Sequence, residues 1–347
     1  MTNASLHDDE ARRESRTGTF KPRLFVLFTL FLTCLSVASA QRPSVVATVG
    51  MIGDIAAEVA GECAAVTTLM GPGSDPHLYR ATAGDVRALQ AAQLLLYGGL
   101  HLEGRLGEVL GATTGRTPAF AVSESVVAED ELIIDDSGST DPHVWLDIGI
   151  WSRVPAFVAS VLPQAAGFRA ECEQEVTDRA AELEGVFLAL DEWARASFET
   201  VPERQRVLVT AHDAFQYFGR AYGVEVEGVQ GVSTETEAAV ADIRRVIDVV
   251  VERGVPMLFV ESTINPRTVQ AVREGVAQRG GPSVTVGPQL YADALGSAGT
   301  AQGTYIGMFV HDVVEIVSGL GGAPLPLPAE AAAWQQRWGY EFPGGAR

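Results

Sequence analysis

The sequence is poor in cysteine and almost free of lysine. Its 347 residues hold three cysteines, too few and too scattered for a zinc finger or a disulfide framework. Lys21 is the only lysine, and the arginines form no basic patch that would hold a phosphate backbone. These absences argue against the common classes of nucleic-acid-binding protein, and we expect no nucleic-acid partner.

Acidic side chains dominate instead. The formal net charge is −19, and residues 1–40 hold five of the 25 basic and four of the 44 acidic residues. The rest of the chain therefore carries 20 basic against 40 acidic side chains, a charge of −20. The favoured interpretation is solubility or adaptation to a salty medium, with attraction of cations over a distance as the alternative.

The first forty residues have the order of a secretory signal. Residues 1–23 are polar and end in basic side chains, 24–37 form an unbroken apolar and small run, and Ala38-Ser39-Ala40 is a small-x-small cleavage pattern. The apolar run is too short to span a bilayer comfortably. We expect residues 1–40 to be a signal peptide that is cleaved after Ala40, which makes the mature protein periplasmic or otherwise extracytoplasmic.

Cysteine leaves two questions open. A lipid anchor at Cys34 is the less favoured alternative to cleavage, because Leu32-Thr33 makes a poor lipidation box and Cys34 lies inside the apolar run. Cys63 and Cys172 have the opportunity to pair in an oxidising compartment, but a sequence does not show whether their Cα atoms are close enough.

Beyond the signal, short β-branched runs alternate with helical stretches, which is typical of an α/β fold with parallel strands. The predicted strands are Ser44–Val49, Ala64–Met70, Leu94–Gly98, Arg206–Thr210, Val224–Glu227, Pro256–Val260 and Ser283–Val286. The predicted helices between and after them are Ile52–Ala60, Gly84–Ala92, Glu235–Arg253, Pro266–Gln278 and Thr304–Leu320.

One long amphipathic helix is predicted between the two series. Its apolar face follows steps of four and three through Val176, Ala180, Leu183, Phe187, Leu190 and Ala194. We therefore predict two lobes, each a parallel sheet flanked by helices, joined by one long rigid helix. The predicted divisions are a signal peptide (1–40), an N-terminal metal-binding lobe (44–150), a connecting helix (151–200), a C-terminal metal-binding lobe (201–322) and an extended tail (323–347).

Histidines mark the candidate site. His77 and His143 each end an Asp-Pro-His tripeptide, in which proline fixes the backbone and holds the imidazole in a rigid turn. His77 follows one predicted strand, His212 follows another, and Asp293 lies in the loop after the strand Ser283–Val286. Ligand sites in open α/β sheets form at the carboxyl ends of strands, so these side chains are predicted to converge.

Three neutral imidazoles and one carboxylate suit zinc or manganese, which accept nitrogen and oxygen donors. The lack of a cysteine in this set disfavours copper(I) and iron–sulfur chemistry. The other two histidines after residue 40, His101 and His311, are interpreted as a structural or supporting group and as ordinary packing or surface. Trp145 and Phe215 are expected to wall the site and keep water out. Asp75 and Asp141 are candidates for orienting their neighbouring histidines or equally for capping a turn, and Glu261 for supporting a ligand or equally for a structural role.

Seven motifs carry a family resemblance. They are Met70–Tyr79 (MGPGSDPHLY), Tyr97–Glu103 (YGGLHLE), Asp141–Asp147 (DPHVWLD), Thr210–Phe215 (TAHDAF), Gly231–Thr234 (GVST), Phe259–Ser262 (FVES) and Asp293–Gly296 (DALG). From about Val45 to Leu320, the chain resembles the periplasmic zinc/manganese solute-binding receptors of ABC importers, the TroA-like class.

The resemblance implies a non-enzymatic receptor with its metal between two lobes. The implied ligands are His77, His143, His212 and Asp293, and the ion is one divalent transition metal held as transported cargo. The implied partner is the membrane permease of an ABC importer, and we expect a monomer. No catalytic residue and no further cofactor are implied.

The choice between manganese and zinc stays open. Relatives that have glutamate in place of His212 are chiefly manganese or iron receptors, and zinc-specialised relatives usually have a histidine-rich loop before the second Asp-Pro-His. Here that stretch is acidic and lacks histidine, at Glu129-Asp130-Glu131 and Asp135-Asp136. The histidine-rich ligand set looks like the variant implied to accept both metals, although zinc binds such sites more tightly.

Two other functions compete with the receptor. A secreted zinc-dependent hydrolase would keep one metal position open and present a general base, and the sequence contains no H-E-x-x-H motif. A metal-binding adhesin would bind a partner without metal, and no hydrophobic contact patch stands out in the sequence. We therefore expect a receptor and not an enzyme.

Overall fold

The computed structural model describes residues 42–113, 117–135 and 138–342. The predicted signal peptide, including Cys34 and the cleavage position, lies outside the described residues. Within the described ranges, no helix is both long enough and apolar enough to cross a membrane.

The N-terminal half builds a four-stranded parallel sheet in the order β2-β1-β3-β4. Its central strands are apolar on both faces, as expected of parallel strands covered by helices. Its elements are β1 (Ser44–Ala47), α1 (Gly50–Ala60), β2 (Ala65–Thr68), α2 (Ala83–Ala91), β3 (Leu94–Tyr97), α3 (Gly107–Thr113), β4 (Ala119–Ala121), α4 (Val122–Val126), α5 (Ile148–Trp151) and α6 (Val154–Val161).

The long helix α7 (Glu173–Glu199) confirms the predicted periodicity. At 1.5 Å per residue its 27 residues span about 40 Å, and the predicted apolar face is largely buried. The helix begins at Glu173 and not at the predicted residue 151. Pro163 lies in a single helical turn and Gly167 has a positive φ of 89°, and both interrupt a continuous helix before Glu173.

The C-terminal half repeats the strand order of the first half, as β6-β5-β7-β8, again all parallel. Every residue of the central strand β5 is buried. Its elements are β5 (Val207–His212), α8 (Gln216–Tyr222), β6 (Glu225–Gln230), α9 (Val240–Arg253), β7 (Met257–Glu261), α10 (Arg267–Gln278), β8 (Thr285–Leu290) and α11 (Tyr305–Gly319), followed by α12 (Ala332–Trp338). The prediction of two parallel sheets joined by a long helix is therefore confirmed.

One apolar core runs from the N-terminal sheet through α7 to α11. At its centre the ring of Tyr305 lies 4.9 Å from that of Phe187 and 6.5 Å from that of Trp151. A second, smaller core lies between the C-terminal sheet and the helices α9 and α10. Because a close-packed interior resists deformation, the shared core opposes a wide opening of the two lobes.

The tail is only partly extended, which corrects the prediction for 323–347. Residues 323–328 form neither a helix nor a strand, but Ala332–Trp338 forms α12. Trp334 is buried and its indole N–H donates to Thr304 Oγ1 at 3.0 Å. Ala331, just before α12, is also buried. These apolar side chains find packing partners only in the folded protein, so the local sequence did not predict the helix. Residues 343–347 lie outside the described residues.

Cys63 and Cys172 form a disulfide, with Cα atoms 5.9 Å apart. The bond ties the end of α1 to the start of α7 across a sequence separation of 109 residues. Closing so long a loop restricts the unfolded chain strongly. We expect the double substitution C63S/C172S to lower the free energy of unfolding by about 2–5 kcal/mol, measured by urea denaturation. Equal denaturation midpoints for the variant and the wild type would contradict this.

Candidate metal centre

Four side chains from four separate loops and strand ends meet between the two sheets. They are His77, His143, His212 and Asp293, and each offers one donor atom such that all four atoms lie within 4.8 Å of one another. All four are buried, with His77 the most exposed at 3%. The structure thus brings together the complete set that the sequence predicted.

His77 is presented by the turn after β2. Its backbone N–H donates to Asp75 Oδ1 at 2.9 Å, so the carboxylate closes the Asp-Pro-His turn on itself. Burial lowers the pKa of His77 to about 4, and the imidazoles of His143 and His212 reinforce this against the attraction of Asp293. At neutral pH its imidazole is therefore uncharged, as a metal ligand must be.

His143 is held by the aspartate of its own tripeptide in a different way. Asp141 Oδ1 accepts both the backbone N–H of His143, at 2.9 Å, and the ring Nδ1, at 2.7 Å. A carboxylate on Nδ1 fixes the ring so that Nε2 faces the site. The ring of Trp145 packs against this imidazole at 5.3 Å, which confirms Trp145 as a wall of the site.

His212 is the last residue of β5 and is oriented by the last residue of β7. Glu261 is fully buried, and its Oε1 accepts the backbone N–H of His212 at 2.9 Å and lies 2.8 Å from Nδ1. Its Oε2 accepts the backbone N–H of Ala211. The sequence left the role of Glu261 open between ligand support and structure, and this geometry assigns it to support of His212.

Asp293 lies in a loop whose two preceding residues are held by hydrogen bonds. Trp145 Nε1 donates to the carbonyl of Ala292 at 2.7 Å, and the backbone N–H of Tyr291 donates to Asp312 at 3.0 Å. Sequence reasoning missed Asp312, a buried carboxylate on α11. Its only sequence signal is an acidic residue inside an apolar helix face, at Val310-His311-Asp312-Val313-Val314.

The donor spacing fits a small divalent ion. Asp293 Oδ1 lies 3.2 Å from His143 Nε2, and Asp293 Oδ2 lies 3.3 Å from His212 Nε2. A tetrahedral ion with bonds of about 2.0–2.2 Å separates its donors by about 3.3–3.6 Å. Among the described residues, both Asp293 oxygens and the Nε2 atoms of all three histidines have no partner with hydrogen-bond geometry. Buried polar atoms normally have partners, so five such atoms in one place indicate a cation site.

Charge in the site is balanced by its carboxylates. Burial lowers the pKa of His143, but Asp141 and Asp293 more than offset this and raise it to about 9. Burial also acts against charge on His212, whose pKa Asp293 and Glu261 nevertheless raise well above its usual value. Burial raises the pKa of Asp293, yet the two imidazoles hold it well below its usual range. The three carboxylates of Asp141, Glu261 and Asp293 therefore favour the charged form of both imidazoles in the metal-free protein.

The remaining candidates lie outside the cluster. His101 is exposed and has a positive φ of 64°, on the wall of the cleft. His311 lies on α11, where its Nε2 is 2.9 Å from the carbonyl of Gln289 and its ring packs on Tyr291. Phe215 is buried with its ring 5.8 Å from that of Phe218.

The cluster opens on one side into a cavity of about 1100 Å³ whose wall includes His77. Among the charged side chains around this cavity, the acidic ones, which include Glu108, Glu235, Glu237 and Asp242, outnumber the one arginine, Arg105. A cleft lined by one sign of charge raises the local concentration of the opposite ion. The acidic side chains around this cavity, which we call the mouth of the site, therefore favour the approach of a cation to His77.

Comparison with known proteins agrees with this geometry. Over 284 residues the chain is 43% identical to the zinc-binding protein TroA of Treponema pallidum, covering 82% of this chain and 90% of TroA. Over 316 residues it is 40% identical to the manganese-binding lipoprotein MntA of Bacillus subtilis, covering 88% and 99%. The solved structure of periplasmic zinc-binding TroA from Treponema pallidum matches with a TM-score of 0.77 at 42% identity, covering 80% of this chain and 99% of that chain.

A family model also matches nearly all of the described chain. It covers residues 45–319 and is described as ZnuA, zinc-uptake complex component A, periplasmic. The match includes all four residues of the cluster. This chain belongs to the ZnuA family.

Proposed function

We propose that the protein is an extracytoplasmic receptor that captures one divalent transition metal, manganese or zinc, and delivers it to the permease of an ABC importer. The ligands in this proposal are His77, His143, His212 and Asp293. The observation that carries it is a set of five buried donor atoms, three imidazole Nε2 atoms and both Asp293 oxygens, that surround one position and have no partner with hydrogen-bond geometry among the described residues.

A receptor explains the site better than an enzyme does. A catalytic zinc usually keeps one position open for water, whereas here the chain supplies four ligands. The two acids beside the cluster, Asp141 and Glu261, each hold a histidine and are not placed as general bases. The ion is then cargo. Its release to the importer requires only that His77 and His143 of the N-terminal lobe separate from His212 and Asp293 of the C-terminal lobe.

The same donors accept either metal. The relatives are named for zinc in one case and manganese in the other, and Asp293 offers two oxygens, so the coordination can expand from four to five. The order of affinities among divalent ions makes zinc the tighter binder at such a site. We therefore propose that supply in its compartment decides which ion is carried.

Elemental analysis of the protein purified from its native compartment tests this proposal. We expect about one equivalent of zinc and manganese combined per chain, because the cluster holds one ion. In competition, zinc should displace manganese. Metal-free protein that also fails to bind added zinc or manganese would refute the receptor.

We further propose cleavage after Ala40, which gives a mature protein that begins at Gln41. The Cys63–Cys172 disulfide suits an oxidising compartment outside the cytoplasm. Because one relative is named a lipoprotein, anchoring through Cys34 is the alternative outcome. Intact-mass spectrometry of the secreted protein separates the two: we expect the mass of residues 41–347, and a lipid-modified chain that begins at Cys34 would contradict cleavage after Ala40.

A further inference from the structure

The two Asp-Pro-His turns differ in what their aspartates bind. Asp141 keeps its hydrogen bonds within its own tripeptide and contacts the imidazole of His143 directly. Asp75 instead uses one oxygen for the backbone N–H of His77 and the other for a residue 159 positions away. That residue is Thr234, whose hydroxyl donates to Asp75 Oδ2 at 2.6 Å.

This hydrogen bond joins the two lobes at the mouth of the site. Asp75 follows the N-terminal strand β2, and Thr234 lies in the loop after the C-terminal strand β6. Thr234 is 7% exposed, so the bond is shielded from competing water. A further contact beside the cavity, an ion pair of Arg105 with Glu235 at 3.9 Å, is exposed and therefore weak.

The loop of Thr234 is held in turn by Gln230, next to the C-terminal ligand His212. Gln230, the last residue of β6, donates from Nε2 to the backbone carbonyls of Thr234, at 3.1 Å, and Thr236, at 2.7 Å. Gln230 is also paired in register with His212 of β5. A continuous set of contacts thus runs from His212 through Gln230 and Thr234 to Asp75 and the turn of His77.

We propose that Thr234 is a positioning residue for metal capture, because its hydroxyl holds the His77 turn against the C-terminal lobe and so keeps His77 over the other three ligands. The proposal deepens the metal-receptor function and rests on it. Hydrogen bonds to a carboxylate are among the stronger ones, and His77 is the ligand that faces the open cavity. Loss of this bond should free His77 first and shorten the time for which the ion is held.

The test is the rate of metal loss from the zinc-loaded full-length mature protein to an excess of chelator, in stopped flow. Thr234→Val keeps the shape of the side chain and removes the hydroxyl. We expect metal loss to become about ten- to hundredfold faster, the range for losing one hydrogen bond to a charged group. Thr234→Ser restores the hydroxyl and should return the rate toward that of the wild type. Thr236→Val, on an exposed residue of the same loop, is the matched control and should leave the rate unchanged.

Repeating the measurement in His77→Ala protein distinguishes an effect of Thr234 on the position of His77 from a general effect on the structure. In His77→Ala protein, Thr234→Val should have no further effect on metal loss, because the residue it acts through is missing. An equal acceleration in both backgrounds, or none in wild-type protein, would overturn the proposal. If valine disturbs folding, judged by metal-free melting, Thr234→Ala takes its place. Failure of wild-type protein to bind zinc would refute the receptor itself, a result distinct from wild-type binding that is insensitive to Thr234.

Discussion

Replacing His143 by alanine is expected to lower the affinity for zinc and manganese by at least about a hundredfold, the upper end of the loss seen when only a supporting partner is removed. The imidazole is fully buried and its Nε2 lies 3.2 Å from the Asp293 carboxylate, so alanine removes one of the four ligands. Competition against a chromophoric chelator measures the change.

His101→Ala is the matched control, because this histidine is exposed and lies outside the cluster. Its affinity should equal that of the wild type. Excess zinc should raise the melting temperature of the wild type and of the control, since only the folded state holds the ligands together, and should raise that of His143→Ala much less. Unchanged affinity in His143→Ala would remove this residue from the proposed ligand set.

The His143 variant also needs a test of its fold. Its imidazole lies against Asp141 and Asp293, and buried carboxylates that lose a partner destabilise a protein. His77→Ala provides the second variant, because His77 Nε2 has no partner with hydrogen-bond geometry among the described residues. Both variants should lose affinity, and metal-free melting shows how much of either loss comes from unfolding.

Metal binding at pH 7 is expected to release about two protons, and the affinity to rise up to about a hundredfold per pH unit. The direction follows from the two raised pKa values. Without metal, His143, with a pKa of about 9, and His212, with a pKa well above 6.5, are protonated at pH 7, and imidazolium does not ligate. Each must lose a proton to bind, so lower pH opposes binding, and the dependence should become less steep above about pH 9, where His143 is already neutral.

Calorimetry in buffers of different ionisation enthalpy counts the released protons. His77→Ala is again an informative control: it should bind more weakly yet release the same number at pH 7, because the pKa of His77 is lowered to about 4 and its ring is already neutral. Heats that do not depend on the buffer would contradict the prediction. So would an affinity that stays constant between pH 6 and 8.

This exchange has a structural consequence. Two protons carry the same charge as one divalent cation, so binding leaves the net charge of the buried centre unchanged. Without metal, the charged imidazoles of His143 and His212 contact the carboxylates of Asp141, Glu261 and Asp293. With metal, the ion supplies the same positive charge, held by Asp293 and by the imidazoles that are then neutral.

Much of the fold could be predicted because it depends on neighbouring residues. Short β-branched runs of four to seven residues correctly indicated seven of the strands, and the spacing of Val176 to Ala194 indicated α7. The short edge strand β4 was missed, since three residues carry too weak a pattern. The edge strand β8 extends further than predicted, through Gly287-Pro288, because proline is tolerated at the edge of a sheet.

The sequence by itself determined the donor types and the turns that present them. Two Asp-Pro-His tripeptides, a histidine after a buried strand and an acidic loop residue are local features, and local backbone preferences place them at strand ends. Only the tertiary structure decided how those turns are held. The Cys63–Cys172 bond, the contact of Asp312 with Tyr291 and that of Thr234 with Asp75 each join different elements. Such contacts have no signature in the residues beside them, because a hydrogen bond or a disulfide depends on distances that only the packed chain sets.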